Sequence, residues 1–271
     1  MHQDPLFPEW QPPSAVDEEK LAELRAFDEL GRLASRYKES HAFGKLLDFI
    51  IRMGDLSPYN AALLYLQKPK ARKVFTASEW LARGRRLLPQ AKPALLLFPG
   101  GPLQFVFDLA DTEGDPVLLT PPMVTSSDSL LINTIERIIK EGVAVVGPLF
   151  GQEPQGRLRR GGEGEPPFTI VLEPGGDARV QYATLVYELA RLFLGHLGGC
   201  AECAWEPRPP GDDISGRFEA GAVAALVCGR AGIPTEAGSF VQGYLQNFSE
   251  TPDISLDLIL KAAGKIERLG R

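Results

Sequence analysis

The residues whose types and spacing carry the most chemistry lie in YATLVYELARLFLGHLG, residues 182–198. Tyr187, Glu188 and Arg191 occupy positions i, i+1 and i+4 of a segment with helical periodicity, so Tyr187 and Arg191 share one face and Glu188 lies beside it. Two imidazoles at that spacing would reach one Zn²⁺, and the carboxylate between them would act as base toward a metal-bound water. Tyrosine and arginine cannot do this. Arginine is permanently charged and has no lone pair to donate, so Arg191 repels a divalent cation. A second carboxylate, Glu219, follows in RFEAGAVAALVC, two residues before Gly221. A third set, His196, Cys200, Cys203 and Cys228, has a spacing compatible with an alternative metal site. Against it, there is one cysteine pair and one histidine, and Cys228 falls on an apolar helix face, where cysteine is commonly a small core residue.

A different chemistry is written between residues 68 and 86. Lys68, Lys70, Arg72, Lys73, Arg83, Arg85 and Arg86 face only Glu79, with Phe75 and Trp80 interleaved. Cations neutralise phosphates and exposed aromatic rings stack on unpaired bases, so this segment is expected to contact single-stranded nucleic acid. The competing reading puts both rings in the core and the charges on a solvated face. RLRR at 157–160 lies in a glycine-rich stretch that reads as a loop, and PGG at 99–101 reads as a turn, because no Lys-Ser/Thr pair follows it.

These groups must be held by recognisable elements. Residues 1–16 are proline-rich with little periodicity and read as a loose arm. Apolar residues Leu21, Leu24, Phe27, Leu30 and Leu33 predict a helix from 17 to 40. Helices are also predicted over 41–56, over 57–67 with a proline in the first turn, and over 76–88 with Thr76 or Ser78 as cap. Strands are expected at 93–98 and 103–110, then a helix at 126–142 and strands at 143–147 and 167–173. Four helices follow, from 182, 216, 238 and 255. Helices, then strands, then helices make an α+β chain rather than a βαβ alternation.

The 271 residues are 44% hydrophobic and 24% charged, with formal net charge −6. The acidic balance predicts no global attraction to nucleic acid or anionic membrane, only local patches. Three cysteines in a chain of this length suggest no disulfide framework. The expectation is a cytoplasmic protein without a membrane partner.

TLVYELARLFLGHLG followed by RFEAGAVAALVCGRAGI resembles the paired active-site helices of ImmA/IrrE-type zinc metallopeptidases, whose pattern is roughly T-L-x-H-E-L-x-H-x-x-x-G-H and then E-x-E-A-E-x-V-A-x-L-V-C. YNAALLYLQKPKARKVFTASEWLARGRRL and FVFDLADTEG resemble the N-terminal region of ArdC-type antirestriction proteins, a region associated with single-stranded DNA. The resemblance implies a zincin-like domain over 121–271, a small sheet with paired helices, preceded by a mainly helical ArdC-like region over 17–120. It also implies Tyr187 and Arg191 at the two histidine ligand positions, Glu188 as a vestigial general base, and Glu219 or Gly221 at the third ligand position. His196 matches a residue the family carries after its zinc motif. With at most one ligand left, zinc is expected to be absent and the peptidase inactive. Arg191 is expected near Glu188 or Glu219 as a charge in the metal's place. The function expected is a degenerate metallopeptidase homologue that acts by binding single-stranded nucleic acid or a regulatory protein. The alternatives are an active zinc peptidase with non-standard ligands, and an interaction protein with no nucleic-acid role.

Overall fold

The structure, a computed structural model, describes residues 37–97, 103–117, 126–147, 157–173, 176–198, 208 and 213–271. Helix α1 (Ser40–Arg52) buries Phe43, Leu46, Leu47 and Ile50 along one side. Helix α2 (Pro58–Gln67) starts at the Ser57 cap, whose side chain accepts from Asn60 N–H, with proline where its missing N–H has no intrahelical role. Strand β1 (Val74–Phe75) and helix α3 (Ala77–Ala82) follow, α3 closed by a full capping box between Thr76 and Glu79. Next come β2 (Arg85–Leu87), β3 (Ala94–Leu96), β4 (Gln104–Asp108) and β5 (Thr112–Gly114).

Strands β1, β4 and β3 form one antiparallel sheet in that order, and β2 pairs with β5 as a separate ribbon. The free edge of β3 is closed by a helix. The Gln67 amide bonds both N–H and C=O of Leu95, and the Asn60 amide does the same for Leu97. Two carboxamides seven residues apart on α2 thus supply donors and acceptors that an open edge would leave to a foreign strand.

Helix α4 (Ser127–Lys140) precedes β6 (Val143–Val146), β7 (Arg157–Arg160) and β8 (Phe168–Val171). These make a second sheet, β6-β8-β7, parallel on one side of β8 and antiparallel on the other. The loop expected at 157–160 is instead strand β7. Its glycines lie outside the paired segment, and pairing with the fully buried β8 overrides the local turn composition. Strands β1, β2 and β5 are two or three residues each, too short to show alternation in sequence.

Four helices close the chain: α5 (Ala178–Phe193), α6 (Ile214–Arg230), α7 (Glu236–Asn247) and α8 (Leu256–Gly270). Helix α6 is the axis of the fold. It is buried on nearly all sides and touches α1, α5, α7 and α8, which its run of Ala220, Gly221, Ala222 and Ala224 permits at close range. The buried residues form one cluster from Phe43 to Leu269, so α1 and α2 share a core with the C-terminal helices. Arg230 fastens this union. Its buried guanidinium donates to the carbonyls of Ile50, Met53, Gly54 and Leu56 and pairs with Glu267, satisfying one orphan acceptor of the last turn of α1 and three in the turn that follows.

The expected boundaries at 16/17 and 120/121 lie outside the described residues, as does most of the helix predicted over 17–40. Among the described residues no helix is long and apolar enough to cross a membrane.

Candidate functional site

Helix α5 is started by Asp177, whose side chain accepts from Arg179 N–H, and buries Leu185, Val186, Leu189 and Leu192. Glu188 falls within that apolar stripe, and its side chain is only 5% exposed. Arg191, one turn on, donates to Glu188 Oε2 at 3.1 Å. The backbone of Leu158 on β7 also bonds this carboxylate. Burial, the larger influence, pushes the Glu188 carboxyl above the ordinary carboxylate range, while Arg191 and the Leu158 bond pull it back. Tyr187 is partly buried against the core. The three residues of the degenerate motif thus make a buried carboxylate clamped by a guanidinium.

Glu219 is compensated by a separate set. Its side chain is 2% exposed and receives four donors. Oε2 takes His196 Nε2 at 2.9 Å and Arg208 Nη1 at 3.0 Å, and Oε1 takes Arg208 Nη2 at 3.1 Å and the Ser255 N–H at 2.7 Å. A carboxylate offers about four lone-pair sites, and all are occupied. Burial raises the Glu219 carboxyl, but the bonds from His196, Arg208 and Ser255 together hold it below its ordinary value. Because a carboxylate only accepts, His196 donates through Nε2, an assignment made from the network. His196 Nδ1 is buried and has no hydrogen-bond partner among the described residues. Arg208 also donates to Leu194 O at 3.2 Å, so one guanidinium joins the end of α5 to α6, and Ser255 brings in the cap of α8.

The sequence expectation put Arg191 near Glu188 or Glu219 as one shared replacement for a metal. Arg191 sits on Glu188, and Glu219 is answered by His196 and Arg208. Arg208 was missed because it lies in the proline-rich stretch between the two helices, where periodicity is silent. Its only signal was being the sole arginine between the motif helix and the N-cap of α6.

Gly221, expected as a former ligand position, does not face Glu219's partners. Residues 219 and 221 are about 200° apart around a helix, and a Cβ on Gly221 would meet Val241 Cγ2 at 2.8 Å and the Ala237 carbonyl at 3.1 Å. Glycine here lets α6 approach α7.

Cys228 is a buried free thiol that burial alone pushes up to about 12. It is nine residues beyond Glu219 on the same helix, about 13 Å along the axis, and so does not join a His196 site. Cys200 and Cys203 lie outside the described residues. Among the described residues no group of three or more His, Cys, Asp or Glu side chains could hold a metal ion. The zinc that the resemblance implies does not fit this chemistry. Of the positions expected to ligate it, one is arginine, one is a helix-contact glycine, and Glu219 has no free lone pair.

The basic segment is divided by the fold. Trp80, expected to stack on bases, is fully buried. Its Nε1–H donates to Phe107 O at 2.8 Å and its ring meets Phe75 edge-on at 4.9 Å. It is a core residue: of the two large apolar side chains on the short α3, Trp80 is turned inward and Leu81 is left 63% exposed. Lys68 pairs with Asp111 and Lys73 with Asp55. Arg85 donates to Thr112 Oγ1 and to the carbonyls of Thr112, Gly114 and Asp115. Lys70, Arg72, Arg83 and Arg86 remain exposed. Arg86 stands opposite Glu113 across the β2–β5 ribbon, and Arg83 lies 3.8 Å over the Phe75 ring.

No protein-family model and no curated protein matches the chain. Solved structures similar to it include two of the antirestriction protein ArdC from the R388 plasmid. The Mn(II)-bound form has 14% identity and a TM-score of 0.36, covering 78% of this chain and 84% of that one. The metal-free form has 14% identity and a TM-score of 0.32, covering 78% of this chain and 81% of that one.

Proposed function

We propose that this chain is a catalytically degenerate homologue of the ImmA/IrrE-type zinc metallopeptidases, with a zincin-like arrangement of α5 and α6, and that it acts by binding rather than by hydrolysis. The observation that carries the reading is the Arg191 guanidinium on the buried Glu188 carboxylate. A general base must be free to take a proton from a water. Here the base position is bound by a fixed cation, and the ligand positions hold tyrosine and arginine. The saturated lone pairs of Glu219 argue in the same direction and against an active peptidase with non-standard ligands.

The partner proposed is single-stranded nucleic acid, supported by the exposed Lys70, Arg72 and Arg83 in a chain that is otherwise acidic. A regulatory protein is the second reading, favoured by the exposed Ile132 and Ile139, one heptad apart on α4.

Elemental analysis of protein produced with zinc present, together with proteolysis assays with and without chelator, tests the first part. The expected results are no stoichiometric zinc and no chelator-sensitive cleavage. One tightly bound zinc per chain, or cleavage abolished by Glu188→Gln, refutes it. Tyr187→His with Arg191→His supplies two imidazoles at the motif spacing and is expected to gain measurable zinc affinity. If α5 and α6 do not have the zincin arrangement, the pair gains no more than two isolated histidines would.

A further inference from the structure

Resting on the nucleic-acid part of that reading, we infer that the outer face of the β1-β4-β3 sheet is a base-stacking platform for single-stranded nucleic acid, with Phe105 as the stacking ring. Alternation along the strands separates the two faces. Ala94, Leu96 and Val106 point to the inner face and are buried, β3 being packed against α2. On the outer face Phe75 stands directly opposite Phe107, and Leu95 directly opposite Phe105. Phe105 and Phe107 are two residues apart on β4, about 7 Å along the strand. Phe105 is 56% exposed and Leu95 38%.

The core of this sheet is complete without Phe105, which leaves its ring in water. The charge around it selects the occupant. At the β1 end of the same face Arg83 lies 3.8 Å over the Phe75 ring, while Lys73, 5.4 Å from that ring, is already paired with Asp55. The loop entering β1 exposes Lys70 and Arg72. An exposed ring in the middle of a sheet, with cations at one end of its row, matches a strand of nucleic acid laid across the sheet: a base rests on Phe105 while the backbone passes the β1 side. Rings bind any base through its π-face, and the cations track the phosphates. Trp80 packs edge-on against the Phe75 ring, so α3 covers the β1 end of this face and the open part is the stretch of Phe105 and Leu95.

Stacking on one ring corresponds to about 5- to 150-fold in affinity. The test uses fluorescence anisotropy at low salt with two labelled twelve-nucleotide DNA strands, one of mixed sequence and one abasic at every position. Thermal melting and size-exclusion chromatography are run on each variant. Phe105→Ala is expected to weaken binding of the base-containing strand by about 5- to 150-fold, to leave the abasic strand, the salt dependence and the melting temperature unchanged, and to be rescued by Phe105→Trp. Lys70→Glu with Arg72→Glu is expected to weaken both strands and flatten the salt dependence. If Phe105→Ala binds like the parent while the charge variant does not, the platform is wrong and the nucleic-acid reading stands. If the parent binds neither strand at low salt, both fall. A Phe105→Ala variant that dissociates a dimer, or weakens both strands alike, also overturns the platform and assigns this face to protein contact.

Discussion

Replacing Arg191 by methionine isolates the charge-replacement idea. Methionine keeps much of the apolar stem and removes the cation. Glu188 is then a carboxylate with a 5% exposed side chain and the Leu158 backbone bond as its remaining support. Breaking a buried pair by removing one partner costs about 3–5 kcal/mol. The Arg191 side chain is 22% exposed, so water can reach the vacated side, and the lower end, about 3 kcal/mol, is expected. For a chain of this size that is roughly 6–12 °C in melting temperature. Equilibrium urea unfolding of the parent, Arg191→Met, Glu188→Gln and the double variant completes a cycle. Glu188→Gln with Arg191→Met leaves no uncompensated charge and is expected to recover most of the loss. The pH dependence carries a sign. The folded-state value of Glu188 lies above its ordinary 4.5, so the native state keeps a proton where the unfolded chain has lost it. Stability at this site is therefore full below the unfolded value and falls as pH rises through the folded one. Loss of Arg191 moves the folded value further up. The deficit of Arg191→Met should be small near pH 4.5 and grow toward neutrality. A deficit below about 0.5 kcal/mol, the range of inconsequential surface changes, or one that is flat with pH, would refute the reasoning.

The same geometry fixes other outcomes. Trp80→Ala should lower stability by about 3–5 kcal/mol, measured by urea unfolding, because the ring is fully buried and its N–H is bonded. Arg85→Glu should destabilise the β2–β5 ribbon by removing bonds to Thr112, Gly114 and Asp115, whereas Arg86→Glu, exposed, should stay within about 0.5 kcal/mol. Gly221→Glu should fail to make a ligand and should lower the melting temperature, since its Cβ would meet Val241 and Ala237; a variant of parental stability that binds zinc would contradict this. Arg230→Met should cost about 3 kcal/mol, because it orphans the carbonyls at the end of α1 and in the turn after it and leaves Glu267 with the exposed Arg271 guanidinium at 3.5 Å, and hydrogen exchange should locate the loosening at residues 50–56.

Much of the frame was legible in the chain itself. The periodicity of α1, α4, α5 and α8, the Ser57 and Thr76 caps, and the strand segments around β3, β4, β6 and β8 are local patterns, and local patterns set local structure. The α+β class followed from their order. That Arg191 cannot ligate a metal was likewise legible, because ligand chemistry belongs to the residue type: arginine has no lone pair wherever it lies.

Partnership was not legible. Which cation answers which buried carboxylate depends on contacts between residues distant in sequence, and only the packed helices join Arg208, His196 and Ser255 around Glu219. Residue type alone does not separate Trp80 from Phe105. The tertiary structure separated them, placing one beneath α3 with its N–H satisfied and the other on the open face of a strand. Gly221 reads in sequence as a vanished ligand, but the helix turns it toward α7, where the absent side chain is what allows the approach. A sequence specifies what each group can donate, accept or bury, and the fold alone decides what stands opposite it.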